Sequence, residues 1–205
     1  MNIKNKKVFL NISVIIFLII TFLVLDNNYL LSNLDSSINN WILIHKYPSL
    51  YNLMLSITNV GDVMGTIFIF IVFGLFIFFR NKKNFYILAV SAFSGIILAD
   101  IIKYLVQRQR PFNLLEQGFS FPSSHATISV IFLLSSIFLL APLIKNGFYK
   151  KVFLMVTSII FPLVAFSRIY LSVHYTSDVI AGIILGSVCF VFAEIICCYN
   201  KENVL

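Results

Sequence analysis

Apolar residues in this chain fall in long, almost unbroken runs, not at the spacing of a half-buried helix or strand. Each run is about 18 to 22 residues, enough to cross a bilayer at a helical rise of about 1.5 Å per residue. Six spanning helices are predicted, at about 8–25, 59–79, 85–106, 124–144, 152–170 and 177–198. The expected fold is all-α: one polytopic membrane domain over 1–205, with six transmembrane helices in a single bundle. The first run follows a basic start, as a secretory leader does. It is long, however, and ends in Leu25-Asp26-Asn27-Asn28 without a small-x-small cleavage pattern, so it is expected to remain as an anchor. Asn27 to Thr58 is the one long polar connection, and its Trp41, Tyr47 and Tyr51 suit a segment lying at the membrane interface. Asp62 is expected to cap the second helix. Gly182 and Gly186 form a GxxxG pattern in the sixth run, expected to serve packing inside the bundle; oligomeric state is left open.

Composition sharpens the membrane assignment. Sixty per cent of the residues are hydrophobic and 11% charged, and the mean hydropathy is +0.96. A soluble protein of 205 residues needs more polar surface than that. The net charge of +7 raises nucleic-acid binding as an alternative, but its distribution excludes that class. Lys4, Lys6 and Lys7 precede the first run. Arg80, Lys82 and Lys83 lie between the second and third, Lys145, Lys150 and Lys151 between the fourth and fifth, and Lys201 follows the last. Every second connection is basic, as expected when those ends face the cytoplasm of a multi-pass cell-membrane protein. Both termini are then cytoplasmic, and connections 26–58, 107–123 and 171–176 face outward. Cys189, Cys197 and Cys198 all belong to the last run and suggest neither a disulfide framework nor a metal site.

The unusual polar residues collect in two of the outer connections. In Lys103-Tyr-Leu-Val-Gln-Arg-Gln-Arg110-Pro111, residues Asp100, Lys103, Gln107 and Arg110 recur at helical spacing, and a paired Lys and Arg can hold a phosphate. Pro111 is expected to end that helix, with Arg108 off this face and among lipid headgroups and Asp100 a structural partner of Lys103. In Phe121-Pro122-Ser123-Ser124-His125, the serines can cap the fourth helix, whose amide-rich start attracts anions, with His125 at its rim. In Ser167-Arg168-Ile-Tyr-Leu-Ser-Val-His174-Tyr-Thr-Ser-Asp178, the carboxylate four residues beyond His174 can fix the imidazole tautomer. Ionisable groups at a membrane boundary are expensive and point to function. His45 is expected to be a surface histidine, and Glu194 lies near the inner boundary, far from these motifs.

Taken together and in this order, Lys-x6-Arg-Pro, Pro-Ser-x-His and Ser-Arg-x5-His-x3-Asp resemble the type 2 phosphatidic acid phosphatase superfamily. That superfamily includes membrane lipid phosphatases, bacterial acid phosphatases and vanadium haloperoxidases. One departure stands out: Ser124 occupies the usual glycine of Pro-Ser-Gly-His. Serine keeps the backbone amide, so tuning is expected, not loss of activity. The resemblance implies that Lys103, Arg110 and Arg168, with Ser123 and Ser124, bind phosphate. It implies that His174 attacks phosphorus, oriented by Asp178, and that His125 protonates the leaving group. The expected activity is metal-independent and cofactor-free hydrolysis of a lipid phosphate, with undecaprenyl pyrophosphate the first candidate. Phosphatidylglycerol phosphate and phosphatidic acid are the alternatives. A non-enzymatic transporter or flippase would need the cations but has no use for a His–Asp pair and a second histidine. A haloperoxidase is disfavoured by a membrane-facing site with no large soluble domain.

Overall fold

The computed structural model describes residues 2–111 and 117–199. All regular structure among the described residues is helical: α1 (Ile3–Leu25), α2 (Tyr29–Ile44), α3 (Pro48–Thr58), α4 (Val63–Phe78), α5 (Lys82–Val106), α6 (Ser124–Ser135), α7 (Gly147–Tyr170) and α8 (Thr176–Tyr199). Beyond Ser135, α6 continues through a wide turn and a tight one, so its apolar span runs Ser124–Leu143. Asparagine side chains cap several of these starts; Asn28, for example, accepts from the amides of Leu30 and Leu31 at 3.1 and 3.3 Å.

Five helices, namely α1, α5, the extended α6, α7 and α8, are long and apolar enough to cross a membrane unaided. The second expected span, 59–79, differs. Helix α4 has only 16 residues, about 24 Å, which falls short of a hydrocarbon core about 30 Å thick. It makes a sixth span only together with α3, from which it is bent by 54° across the Asn59–Gly61 turn and Asp62. Asp62 does sit at the start of α4, but its side chain makes no capping hydrogen bond. The polar connection before it is also more ordered than expected, holding both α2 and α3. Helix α2 has two faces: Leu30, Leu34, Trp41 and Ile44 are exposed, whereas Asp35, Asn39 and Ile42 are buried. An exposed apolar stripe beside a docked one suits a helix lying along a membrane surface.

Helices α6 and α8 form the centre of the bundle and pack closely. A Cβ on Gly182 would stand 2.5 Å from the Ser123 carbonyl oxygen, and one on Gly186 would collide with that of Thr127. The small residues therefore serve contact within the chain, as expected. Phe132 on α6 meets Phe73 and Phe161, each with ring centroids 5.8 Å away. At one end of the bundle Lys6 pairs with Glu194 at 3.0 Å, and Arg80 donates to the Leu143 carbonyl at 3.2 Å. The basic turns gather at that end, except that Lys201 lies outside the described residues. The starts of α6 and α8 and the ends of α5 and α7 meet at the opposite end.

Gly186→Ala is expected to destabilise the protein by about 1–3 kcal/mol, because a backbone carbonyl has to move to admit the methyl group. Thermal or denaturant unfolding in detergent micelles measures this.

Candidate active site

Helix α5 stops at Val106 because Gln107 takes a left-handed conformation (φ 52°) and its amide bonds the Lys103 carbonyl at 2.9 Å. The expected helical face therefore does not reach Arg110. Residues beyond Gln107 run back along Ser120, whose amide donates to the Arg108 carbonyl at 2.8 Å and whose hydroxyl donates to the Gln109 carbonyl at 3.2 Å. This reversal turns Arg108 and Arg110 into the end of the bundle. Arg110 is buried and donates to the carbonyls of Gly118 and Val173 at 3.2 and 3.0 Å. Lys103, still on α5, donates to the Ser124 hydroxyl and lies 4.0 Å from Asp100, the expected partner.

A second reversal follows α7. Ser172 is left-handed (φ 57°), and the Arg168 carbonyl accepts from the amides of Val173 and His174, both at 3.2 Å. His174 is thus folded back under Arg168, and both are almost wholly buried. The Arg168 guanidinium donates to Thr58, just before the break between α3 and α4. Asp178 lies in the first turn of α8 and reaches back to accept the Tyr175 amide at 2.9 Å, half of a capping box. The same oxygen, Oδ2, is 3.5 Å from His174 Nδ1, an ion-pair distance but a long one for a hydrogen bond. On the other side of the ring, Nε2 is 3.0 Å from an Arg110 nitrogen. A guanidinium can only donate, so Nε2 is the accepting nitrogen and the ring proton belongs on Nδ1, facing Asp178. Burial pushes the His174 imidazole down to about 4, opposed by Asp178 and assisted by Arg168 and Arg110.

The start of α6 closes the group. The Ser123 hydroxyl caps the helix, accepting the Ala126 amide at 3.4 Å, and its own amide bonds the Asp178 carbonyl at 3.1 Å. Two residues on, His125 Nε2 lies 2.7 Å from Asp62 Oδ1. Gly61 makes room for this pair, since a Cβ there would stand 2.6 Å from the imidazole.

All eight expected site residues, Lys103, Arg110, Ser123, Ser124, His125, Arg168, His174 and Asp178, therefore meet at one end of the bundle. Arg108 corrects an expectation. It does not face headgroups: it donates to Asp178 at 2.6 Å and Asp35 at 2.8 Å. Burial opposes its charge, but Asp178 and Asp35 outweigh it and raise the Arg108 pKa. Sequence reasoning missed Asp35, Asp62 and Thr58. Its one usable signal was scarcity: with 8 acidic residues against 15 basic ones, any acid near the motif-bearing end was a candidate partner. His45 is exposed and stacks on Trp41, and Glu194 lies at the far end, both as expected. Among the described residues, no group of three or more His, Cys, Asp or Glu could hold a metal ion.

His174 is expected to be neutral at pH 7, with its proton on Nδ1, and to titrate near pH 4 instead of the usual value near 6.5. Histidine-labelled protein followed by nitrogen NMR from pH 3 to 8 checks both the tautomer and the titration.

Known proteins bear on this arrangement. A family model described as the PAP2 superfamily matches residues 84–201. Phosphatidylglycerophosphatase B of Bacillus subtilis is 30% identical over 161 residues, covering 76% of this chain and 79% of that protein. An undecaprenyl-diphosphatase of Sulfolobus acidocaldarius is 36% identical over 126 residues, 55% of each chain. Among solved structures, a transmembrane PAP2-type phosphatidylglycerolphosphate phosphatase from Bacillus subtilis superposes with a TM-score of 0.80 at 24% identity, over 96% of this chain and 97% of that one. LpxE of Aquifex aeolicus gives 0.61 at 20% identity, over 78% and 94%. The three motifs therefore sit in the fold that their resemblance implied, and the chain belongs to the PAP2 superfamily, as a membrane lipid phosphatase that hydrolyses phosphate esters.

Proposed function

We propose that this enzyme hydrolyses a phosphomonoester or pyrophosphate of a membrane lipid through a phosphohistidine formed on His174. The observation that carries the reading is the His174 ring itself. One nitrogen is aimed at the buried Asp178 carboxylate and the other at Arg110, with Arg168 alongside. Lys103, Arg110 and Arg168 hold the phosphoryl oxygens, joined by the Ser123 hydroxyl and the Ser124 amide. Arg110 lies against the lone pair that must react. An arriving phosphate draws the guanidinium to its own oxygens and releases Nε2. Nε2 then attacks phosphorus in line, and Asp178 balances the positive charge that develops on the ring. As the bond to the leaving oxygen breaks, His125 gives that oxygen a proton, held in place by Asp62. His125 then takes a proton from water, the water attacks phosphorus, and the phosphohistidine bond breaks to restore a neutral imidazole.

Fixed cations supply the charge stabilisation on which phosphoryl transfer depends, which supports hydrolysis without a metal or other cofactor. Undecaprenyl pyrophosphate is the first substrate candidate, supported by the diphosphatase relative. Phosphatidylglycerol phosphate is favoured by the relative that matches the longer stretch of this chain. The basic turns at the opposite end support cytoplasmic termini and a site on the extracytoplasmic side. A transporter or flippase would leave both histidine–aspartate pairs without a purpose.

Incubation with labelled lipid phosphate and rapid acid-free quenching is expected to trap a phosphoprotein that is acid-labile and base-stable. His174→Ala should abolish both the label and phosphate release; full activity in that variant would sink the reading. Gly61→Ala is expected to lower kcat by about 10-fold or more, since it displaces His125 from Asp62 and small misplacements of reacting groups are costly. Steady-state phosphate release from undecaprenyl pyrophosphate and phosphatidylglycerol phosphate, assayed side by side, measures this effect and the substrate preference.

A further inference from the structure

Asp178 has two oxygens, and only one faces His174. Oδ2 accepts from Tyr175 and lies beside Nδ1, while Oδ1 accepts from Arg108 at 2.6 Å. The two oxygens share one rigid plane, so whatever holds Oδ1 also fixes the direction of Oδ2. Arg108 is itself held on several sides. It donates to the Ser177 hydroxyl at 2.7 Å and to Asp35 at 2.8 Å, and its guanidinium carbon lies 4.1 Å from the centre of the Tyr175 ring. Asp35 is buried and fully engaged, accepting from both the Ser177 amide (3.0 Å) and the Ser177 hydroxyl. It belongs to α2, the helix with an exposed apolar face.

We propose that Arg108 and Asp35 are positioning residues for the reaction: the carboxylate–guanidinium–carboxylate bridge sets the orientation of Asp178 and, through it, the direction of the His174 ring. This rests on His174 being the nucleophile. Neither residue touches the reacting phosphorus; each acts through the next. A purely structural ion pair that fastens α2 would look alike in a static picture but would behave differently in kinetics. Loss of positioning lowers the rate of histidine phosphorylation and leaves binding by Lys103, Arg110 and Arg168 in place. Loss of a fastening releases α2.

Trp41 is the single tryptophan of the chain and lies on α2, so intrinsic fluorescence reports whether that helix stays docked. Asp35→Asn keeps the shape and removes the charge. It is expected to lower kcat by about 10- to 100-fold, with KM nearly unchanged, slower phosphoenzyme formation, and Trp41 emission and thermal midpoint like those of the unmutated protein. Adding Asp35→Asn to Arg108→Gln should then cause no further loss, because Asp35 acts only through Arg108. Unchanged kcat in Asp35→Asn, or fully additive losses in the double variant, overturns the proposal. If Asp35→Asn shifts Trp41 emission, Arg108→Lys decides: its single ammonium keeps the charge but cannot span both carboxylates. A kcat loss with Trp41 emission unmoved supports positioning, and an unmoved kcat, or a loss that tracks an emission shift, overturns it. An unmutated protein that forms no phosphohistidine would instead remove the underlying reading of His174. Normal phosphoenzyme formation in these variants would remove this inference alone.

Discussion

A carboxylate with no exposed surface, Asp178, sits where four helix ends converge, and its compensation shapes the site around it. Moving such an ion out of water costs several kcal/mol unless it is paired and hydrogen-bonded. The pairing comes from Arg108, the hydrogen bonding from the Tyr175 amide, and the His174 ring lies within ion-pair reach. The Asp178 backbone carbonyl also accepts the Ser123 amide, which ties the start of α8 to the start of α6. One side chain and its peptide thus join α5, α6 and α8 to the α7–α8 turn. Through Arg108 and Asp35 the connection extends to α2.

Two backbone reversals make that convergence possible. Gln107 and Ser172 both adopt left-handed conformations at helix ends. For residues other than glycine this costs about 1–2 kcal/mol each, and here the surrounding hydrogen bonds hold them. Each reversal turns the next few residues back toward the bundle. Without the first, Arg108 and Arg110 would continue along α5; without the second, His174 would point away from α8. The break between α3 and α4 acts in the same way from the other side. A straight helix would carry Thr58 and Asp62 past the site, whereas the bend puts one against Arg168 and the other against His125.

These reversals also mark how far the sequence could be read. Apolar run length gave the membrane character and five spans, because bilayer thickness imposes a length that needs no knowledge of neighbours. At 59–79 run length alone was not enough: α4 is short by itself, and it reaches a spanning length only as a bent pair with α3, the break falling at Gly61 and Asp62 beside His125. The motif residues were legible because their spacing in the chain reflects one site. Their supporting carboxylates were not, since Asp35 lies 73 residues from Arg108 and Asp62 lies 63 from His125, with no local pattern linking either pair. Arg108 was misread for a related reason: helical periodicity was extended past Gln107, and one left-handed residue is enough to turn a side chain from headgroups to the interior.

Helix ends are also where the chemistry of a lipid phosphatase has to take place. The phosphate of a membrane lipid stays at headgroup level, where water for hydrolysis is available but hydrocarbon begins a few ångströms below. A site built at mid-bundle would have to drag that charge into apolar surroundings. Here Val106, Ser124, Tyr170 and Thr176 end or begin their helices around one shared group of residues, so the proposed site lies at helix-end level, where binding a phosphate avoids that penalty. Exposed Tyr29, Trp41 and Tyr47 belong to the same end of the chain's path, and such rings prefer the membrane interface. They lie on or next to α2, whose buried face carries Asp35. The helix whose exposed rings suit the membrane interface is therefore also the one bonded to the guanidinium that holds Asp178.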